Sequence, residues 1–220
     1  MNKWKVILPL LVIAICICFD QWIKVYVKTH FVLYEMRNVF GHWFQLYFIE
    51  NNGMAFGLEW GGKAGKFLLT AFRLAVSCFG AWYLWKNMRR GAPMGLLIAI
   101  ALIMAGAIGN IIDSVFYGVW FKSRNVYDGG WFQGHVVDMF YAPLYQGQFP
   151  SWFPFWKNEA FTFFSPIWNT ADACITVGVF IIILGQKKFF IHRNTEPVQA
   201  NLQESPHADS VPANSQDSSE

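Results

Sequence analysis

Residues 94–112 read MGLLIAIALIMAGAIGNII, a run without one Asp, Glu, Lys or Arg. About 20 predominantly apolar residues cross a bilayer core of roughly 30 Å as a helix, so this run predicts a transmembrane helix. Three more stretches share its character. Val6–Phe19 is uninterrupted and runs on to Val27 past polar breaks at Asp20-Gln21 and Lys24. Phe67–Trp85 is broken only by Arg73, and Ile167–Leu184 carries one charge, Asp172. Any one of them alone could be a buried core helix. Four in a 220-residue chain predict a polytopic membrane protein.

Composition agrees. Hydrophobic residues make up 55% of the chain and charged residues 14%, against roughly 25% charged in soluble proteins. Aromatics reach 19%, which suits a bilayer interface. These values disfavour a disordered chain, a soluble enzyme and a disulfide scaffold. The net charge of +3 hides a division. Residues 194–220 hold five acids and no Lys or Arg, leaving +8 on residues 1–193. The chain thus divides into a four-helix membrane domain, 1–193, and an acidic tail, 194–220. The tail is too poor in large apolar residues to offset the entropy of ordering, so disorder is expected there.

Lys3 and Lys5 before an apolar run also resemble a secretory signal, but Asp20-Gln21 stands where a cleavage site needs small residues, so a retained helix is expected. Lys3, Lys5, Lys86, Arg89, Arg90, Lys187, Lys188 and Arg193 flank one side of the predicted bundle. Cytoplasmic segments are rich in Lys and Arg, so both termini are expected in the cytoplasm. Segments 28–66 and 118–166 then face outward. The first contains Trp43–Ile49 followed by Asn51-Asn52-Gly53, a strand-and-turn signal. The second is aromatic and interrupted by Gly129-Gly130, Pro143, Pro150, Pro154 and Pro166, which predicts an irregular interfacial segment. The expected fold is all-α and polytopic: four transmembrane helices, a small extracytoplasmic β element and an irregular aromatic-rich outer segment.

Ionisable residues at membrane depth are costly and are functional candidates by default. Asp20, Asp113, Asp138 and Asp172 fall at or near the predicted outer ends of the helices. Asp20 and Lys24 are spaced i, i+4, as in a helix ion pair. Asp113 follows Asn110 by three residues on one helix face and, opposing the helix dipole, needs a partner. Asn169 and Asp172 have capping-box spacing. Asp138, in His135-Val136-Val137-Asp138-Met139-Phe140, has no structural excuse of this kind. There is no H-E-x-x-H motif, and only His135 lies near the acids. Cys16, Cys18, Cys78 and Cys174 sit in apolar helices without metal-ligand spacing. No Gly-rich phosphate loop or Ser/Lys pairing stands out. Two carboxylates sharing one proton could still activate water.

At these residues the sequence closely resembles the lipoprotein signal peptidases, or signal peptidase II, aspartyl proteases of bacterial inner membranes. Five segments match in family order: Asp20-Gln21-x-x-Lys24, Asn51-x-Gly53-x-Ala55-Phe56, Gly106-x-x-Gly109-Asn110-x-x-Asp113, Val136-Val137-Asp138 and Asn169-x-Ala171-Asp172. The resemblance covers roughly residues 1–190 and implies that Asp138 and Asp172 are the catalytic pair. It implies that Asn51, Gly53, Asn110, Asn169, Asp113, Asp20 and Lys24 shape the site or bind substrate. The implied substrate is a prolipoprotein with a diacylglyceryl-modified Cys, cut just before that Cys. The enzyme is expected to be monomeric, to use no metal or cofactor, to contact membrane lipid and no nucleic acid, and to act near the outer face of the inner membrane.

Two departures stand out. The family commonly has Arg directly after the third-motif Asp, where this chain has Ser114; Arg73 or Arg124 could supply that charge. Asp113 and Asp138 are also more widely separated than is usual in the family. The expected chemistry is general acid–base hydrolysis. Asp172 near a helix N-terminus is the expected ionised base, and Asp138 the holder of the proton. Other readings are a G-x-G-D intramembrane protease, whose pattern is not matched, and a non-enzymatic transporter or assembly factor whose acids bind a cation.

Overall fold

A computed structural model describes residues 2–52, 62–143, 145–152, 159–163 and 166–190. The four apolar stretches are helices: α1 (Trp4–His30), α2 (Gly62–Arg89), α3 (Met94–Ile112) and, past a three-residue α4 (Gly118–Trp120), α5 (Thr170–Phe190). All four long helices have the length and hydropathy to cross a membrane. They differ in surroundings. Of the most apolar part of the α3 span 56% is buried, against 11% in each of the other three. Helix α3 is therefore the axis of the bundle, packed on α1, α2 and α5. The others turn side chains such as Leu11, Ile15, Leu68, Phe72, Phe79, Phe180 and Leu184 outward. Such an apolar exterior is stable only against lipid.

Small residues let α3 and α5 approach closely, as helix contacts in membranes require. A Cβ on Gly178 would lie 2.6 Å from the Ala99 carbonyl oxygen, and one on Gly106 would collide with the Ala171 carbonyl. Larger side chains there would separate the helices that carry Asn110 and Asp172.

One end of the bundle carries a four-stranded antiparallel sheet of order β1-β2-β3-β6, formed by β1 (Met36–Phe40), β2 (Phe44–Asn51), β3 (Val136–Tyr141) and β6 (Ile167–Trp168). A separate hairpin pairs β4 (Tyr145–Gln148) with β5 (Ala160–Phe163). The sequence predicted strand structure only in the first outer segment. The second is more regular than expected, because the short apolar run Val136–Tyr141 completes the sheet begun by β2. The fourth apolar stretch also begins differently: Ile167 and Trp168 pair with Tyr141 and Phe140, and the helix starts only at Thr170. Asn169 separates strand from helix, because its side chain caps the helix behind it.

The wide spacing between Asp113 and Asp138 has a structural reason. Helix α3 continues into a π-helical turn, Asp113–Tyr117, and then α4. The π turn leaves carbonyls for outside donors: the Gly134 N–H donates to Ser114 O at 2.9 Å and the Phe132 N–H to Val115 O at 3.1 Å. The inserted segment thus folds back on the end of α3 and delivers β3 beside Asp113. The proposed tail, residues 194–220, lies outside the described residues.

Candidate active site

Strands β2 and β3 and helices α3 and α5 bring polar groups to the junction of bundle and sheet. Alternation along a strand turns residues i and i+2 to the same face. In the β2–β3 register Asn51 pairs with Val136 and Ile49 with Asp138, so Asn51 and Asp138 share one face of the sheet. Asn51 Nδ2 donates to Asp138 Oδ2 at 3.2 Å. On the other side Asn169 Nδ2 donates to Asp138 Oδ1 at 2.6 Å.

Asn169 and Asp172 form the capping box that their spacing predicts. The Asp172 N–H donates to Asn169 Oδ1 at 3.0 Å, and the Asn169 N–H points to Asp172 Oδ2 at 3.4 Å. From α3, Asn110 Nδ2 donates to Asp172 Oδ1 at 3.0 Å, while Asn110 Oδ1 accepts from Asn169 Nδ2 at 3.3 Å. Two amides therefore join the carboxylates of β3 and α5.

Beneath them lies a fully buried ion cluster. Lys24 Nζ is 2.9 Å from Asp20 Oδ2, the expected i, i+4 pair, and 2.8 Å from Asp113 Oδ2. Its third donor goes to Asn110 Oδ1 at 2.9 Å. Asp20 Oδ1 accepts the Ala171 N–H at 2.9 Å, fastening α1 to the first turn of α5. Gly109 makes room, since a Cβ there would lie 2.6 Å from Asp20 Oδ2. Asp113 is not at a helix end as the sequence suggested, because the helix runs on through the π turn to Trp120; it finds its partners in Lys24, in Gln21 Nε2 at 3.0 Å and in the Val137 N–H at 3.4 Å. Buried carboxylates need such a shell, because an unpaired charge out of water costs several kcal/mol.

Asp138 titrates unusually. Burial pushes its carboxyl up to about 7, and the charge of Asp172 adds to the effect; hydrogen bonds from Asn169 and Asn51 oppose it. His135, three positions earlier and just ahead of β3, is driven down to about 3 by burial and by Lys66 and Lys28. It stacks on Tyr127 with ring centres 3.6 Å apart.

The structure thus brings Asp138, Asp172, Asn51, Asn110 and Asn169 into one constellation, with Asp20, Lys24 and Asp113 directly behind it. Gly53 lies outside the described residues. Of the two arginines considered for the place of Ser114, Arg73 is the one at the site. Its Nη1 is 3.4 Å from Ser114 Oγ, and Asp172, Asp138 and Asp113 are the charges acting on it. Arg124 stands instead beside Lys28. Tyr117 went unnoticed in the sequence: it is fully buried, and its hydroxyl donates to Gln21 Oε1 at 3.1 Å, which orients the Gln21 amide toward Asp113. The only advance signal was an aromatic hydroxyl four residues past Asp113. Among the described residues no group of three or more His, Cys, Asp or Glu side chains has the geometry of a metal site.

Comparison with known proteins gives a consistent picture. A family model described as signal peptidase (SPase) II matches residues 12–187. The chain is 44% identical over 191 residues to a lipoprotein signal peptidase of Porphyromonas gingivalis, covering 82% of each chain. It is 33% identical over 177 residues to one from Amoebophilus asiaticus, covering 79% of this chain and 75% of that one. A solved bacterial membrane enzyme superposes with a TM-score of 0.57 at 23% identity, over 88% of this chain and 96% of the other. That likeness is one of fold.

Proposed function

The chain belongs to the signal peptidase II family of aspartic peptidases, and on that premise we propose that Asp138 and Asp172 are its catalytic pair, cleaving prolipoproteins just before a diacylglyceryl-modified Cys. The protein is a multi-pass bacterial membrane endopeptidase. The observation that carries the assignment is the bridged pair itself: two carboxylates on separate elements, joined by Asn110 and Asn169, with the Asp138 proton retained up to about 7.

In this mechanism Asp172 takes a proton from a water lying between the two carboxylates. Protonated Asp138 hydrogen-bonds the scissile carbonyl as the water oxygen attacks. Collapse of the tetrahedral intermediate breaks the C–N bond, and the proton held by Asp172 passes to the leaving amine. Asn51 and Asn169 fix the plane of the Asp138 carboxyl, and Asn110 that of Asp172, so little reorganisation is needed in the transition state. Arg73 supplies a positive charge facing the developing oxyanion, in place of the Arg that the family commonly has at the Ser114 position. Asn51, Asn110, Asn169, Asp20, Lys24 and Asp113 hold the geometry, and the family motif assigns Gly53 to shaping the site or binding substrate.

The site lies where the helix ends meet the sheet, so a lipidated Cys reaches it sideways from the bilayer. With both termini in the cytoplasm, as the distribution of basic residues favours, this is the outer face of the inner membrane. The protein acts as a monomer without a cofactor. The test uses the purified full-length enzyme and a synthetic prolipoprotein with and without the diacylglyceryl group. Asp138→Asn and Asp172→Asn should each abolish cleavage while retaining membrane insertion. Processing by Asp138→Asn would sink the assignment of the pair, and equal cleavage of both substrates would sink that of the lipid.

A further inference from the structure

Strand β2 has two faces, and only one is used by the active site. Asn51 points to Asp138, whereas Phe48 and Glu50 alternate to the opposite side. There they line a cavity of about 180 Å³, together with Lys28, Phe31, Arg124 and Val126. A water molecule takes up about 30 Å³ in the liquid, so the space exceeds what one or two waters need.

Its polar groups are incompletely matched. The Lys28 side chain is buried and ion-paired with Glu50 through Oε1. The Glu50 side chain is only 5% exposed, yet its second oxygen, Oε2, has no hydrogen-bond partner among the described residues. A buried carboxylate oxygen without a donor is expensive. Arg124 adds a second cation beside Lys28 and forms no ion pair among the described residues. The cavity wall therefore holds a buried acceptor that lacks a donor, and its mouth a cation that lacks an ion-pair partner, among the described residues. Phe31 and Phe48 wall it, and exposed Val32 and Val126, at 74% and 75%, form an apolar rim. Trp22 and Tyr26 are exposed one to two turns earlier on α1, the aromatic girdle expected at a membrane interface.

We propose that this cavity binds the phosphoethanolamine headgroup of a membrane phospholipid, with the phosphate on Arg124 and Lys28 and the ammonium donating to Glu50 Oε2. The acyl chains leave over the valine rim along α1. A phosphocholine headgroup offers no N–H to Glu50, and a phosphoglycerol headgroup offers only neutral hydroxyls. The site stands back to back with the catalytic constellation across β2 and does not depend on the peptidase assignment.

Native mass spectrometry of the detergent-purified full chain, incubated with equimolar phosphatidylethanolamine, phosphatidylglycerol and phosphatidylcholine, reads the preference. Wild type should retain phosphatidylethanolamine roughly ten-fold over the other two, the step one charge-assisted hydrogen bond supplies. Arg124→Ala, at an exposed position where folding is not at stake, should lose retention of all three. Glu50→Gln should hold lipid while losing the preference. Equal retention of the three lipids by wild type, or unchanged retention by Arg124→Ala, would overturn the proposal. So would saturation by water-soluble glycerophosphoethanolamine that the lipid cannot displace, since the ligand would then be a free phosphoester.

Discussion

Asp138 should make the folded protein less stable as the medium becomes more alkaline, and Asp138→Asn should remove that liability. The carboxyl titrates at about 7 in the fold, against an ordinary value of 3.8. A carboxyl with a raised folded pKa binds its proton more tightly when folded than when unfolded. Its contribution to stability is therefore complete below about pH 4 and is lost as the pH rises through 7. Between pH 5 and pH 8 the loss is about 3 kcal/mol, at 1.36 kcal/mol per pH unit over which only the unfolded state is ionised. An asparagine cannot ionise and escapes it. The substitution has a separate cost. Asn169 and Asn51 both donate to Asp138, and an amide has one oxygen to receive them, so one buried donor loses its partner at about 1–3 kcal/mol.

That cost does not depend on pH, so the informative quantity is the change with pH in the stability gap between variant and wild type. Thermal unfolding of both purified proteins in the same detergent, at pH 5 and pH 8, measures it. The variant should gain on wild type by about 5–10 °C between the two conditions, while being inactive at both. A gap that is the same at both pH values would show that Asp138 ionises normally in the fold, and the general-acid role would fall with it.

Three further outcomes follow from the same geometry. The rate constant kcat/KM for a lipidated peptide should fall about ten-fold per pH unit above roughly 7, because the acid must keep its proton; a rate still rising at pH 9 would contradict this. Lys24→Met should leave Asp20 and Asp113 buried without their cation and cost about 3–5 kcal/mol, visible as a large drop in unfolding temperature, whereas an unchanged midpoint would mean that the cluster is not formed. Arg73→Gln should lower kcat by about a hundred-fold with a small change in KM, and a KM effect alone would assign Arg73 to substrate binding.

The parts of this arrangement that the sequence revealed are those governed by local rules. Charge-free runs of membrane-spanning length marked the helices, Asp20 and Lys24 were an i, i+4 pair on paper and are one in space, and Asn169 with Asp172 had the spacing of the box they form. What stayed hidden depends on contacts between distant segments. His135–Phe140 is a short apolar run that periodicity cannot assign to strand or helix; only the register with β2 makes it a strand and turns Asp138 inward. Ile167 and Trp168 look like the start of a helix until Tyr141 and Phe140 claim them as a strand. Arg73 was one of two arginines that could stand in at Ser114, and nothing nearby in sequence tells that it, and not Arg124, is the one that faces it. Tyr117 depends on a π turn that no spacing rule anticipates.

The hydrogen-bond chain through the site has a direction, and the chemistry of the donors sets it. An ammonium group has three donors and no acceptor, so Lys24 can meet Asn110 only at Oδ1. That contact turns the Asn110 NH₂ group toward Asp172. The backbone N–H of Asp172 likewise claims Asn169 Oδ1, which leaves the Asn169 NH₂ group for Asp138. One buried cation and one helix end thus decide the orientation of both amides, and both carboxylates of the proposed catalytic pair receive donors. A carboxylate in place of either asparagine would have no N–H to give and would add a fifth acid to a layer of four that has only Lys24 and Arg73 as cations. Buried ion clusters are a poor source of net stability. Here the cluster of Lys24, Asp20 and Asp113 makes sense as the device that fixes an orientation two residues away, which is why it can lie wholly out of water behind a site that must admit one.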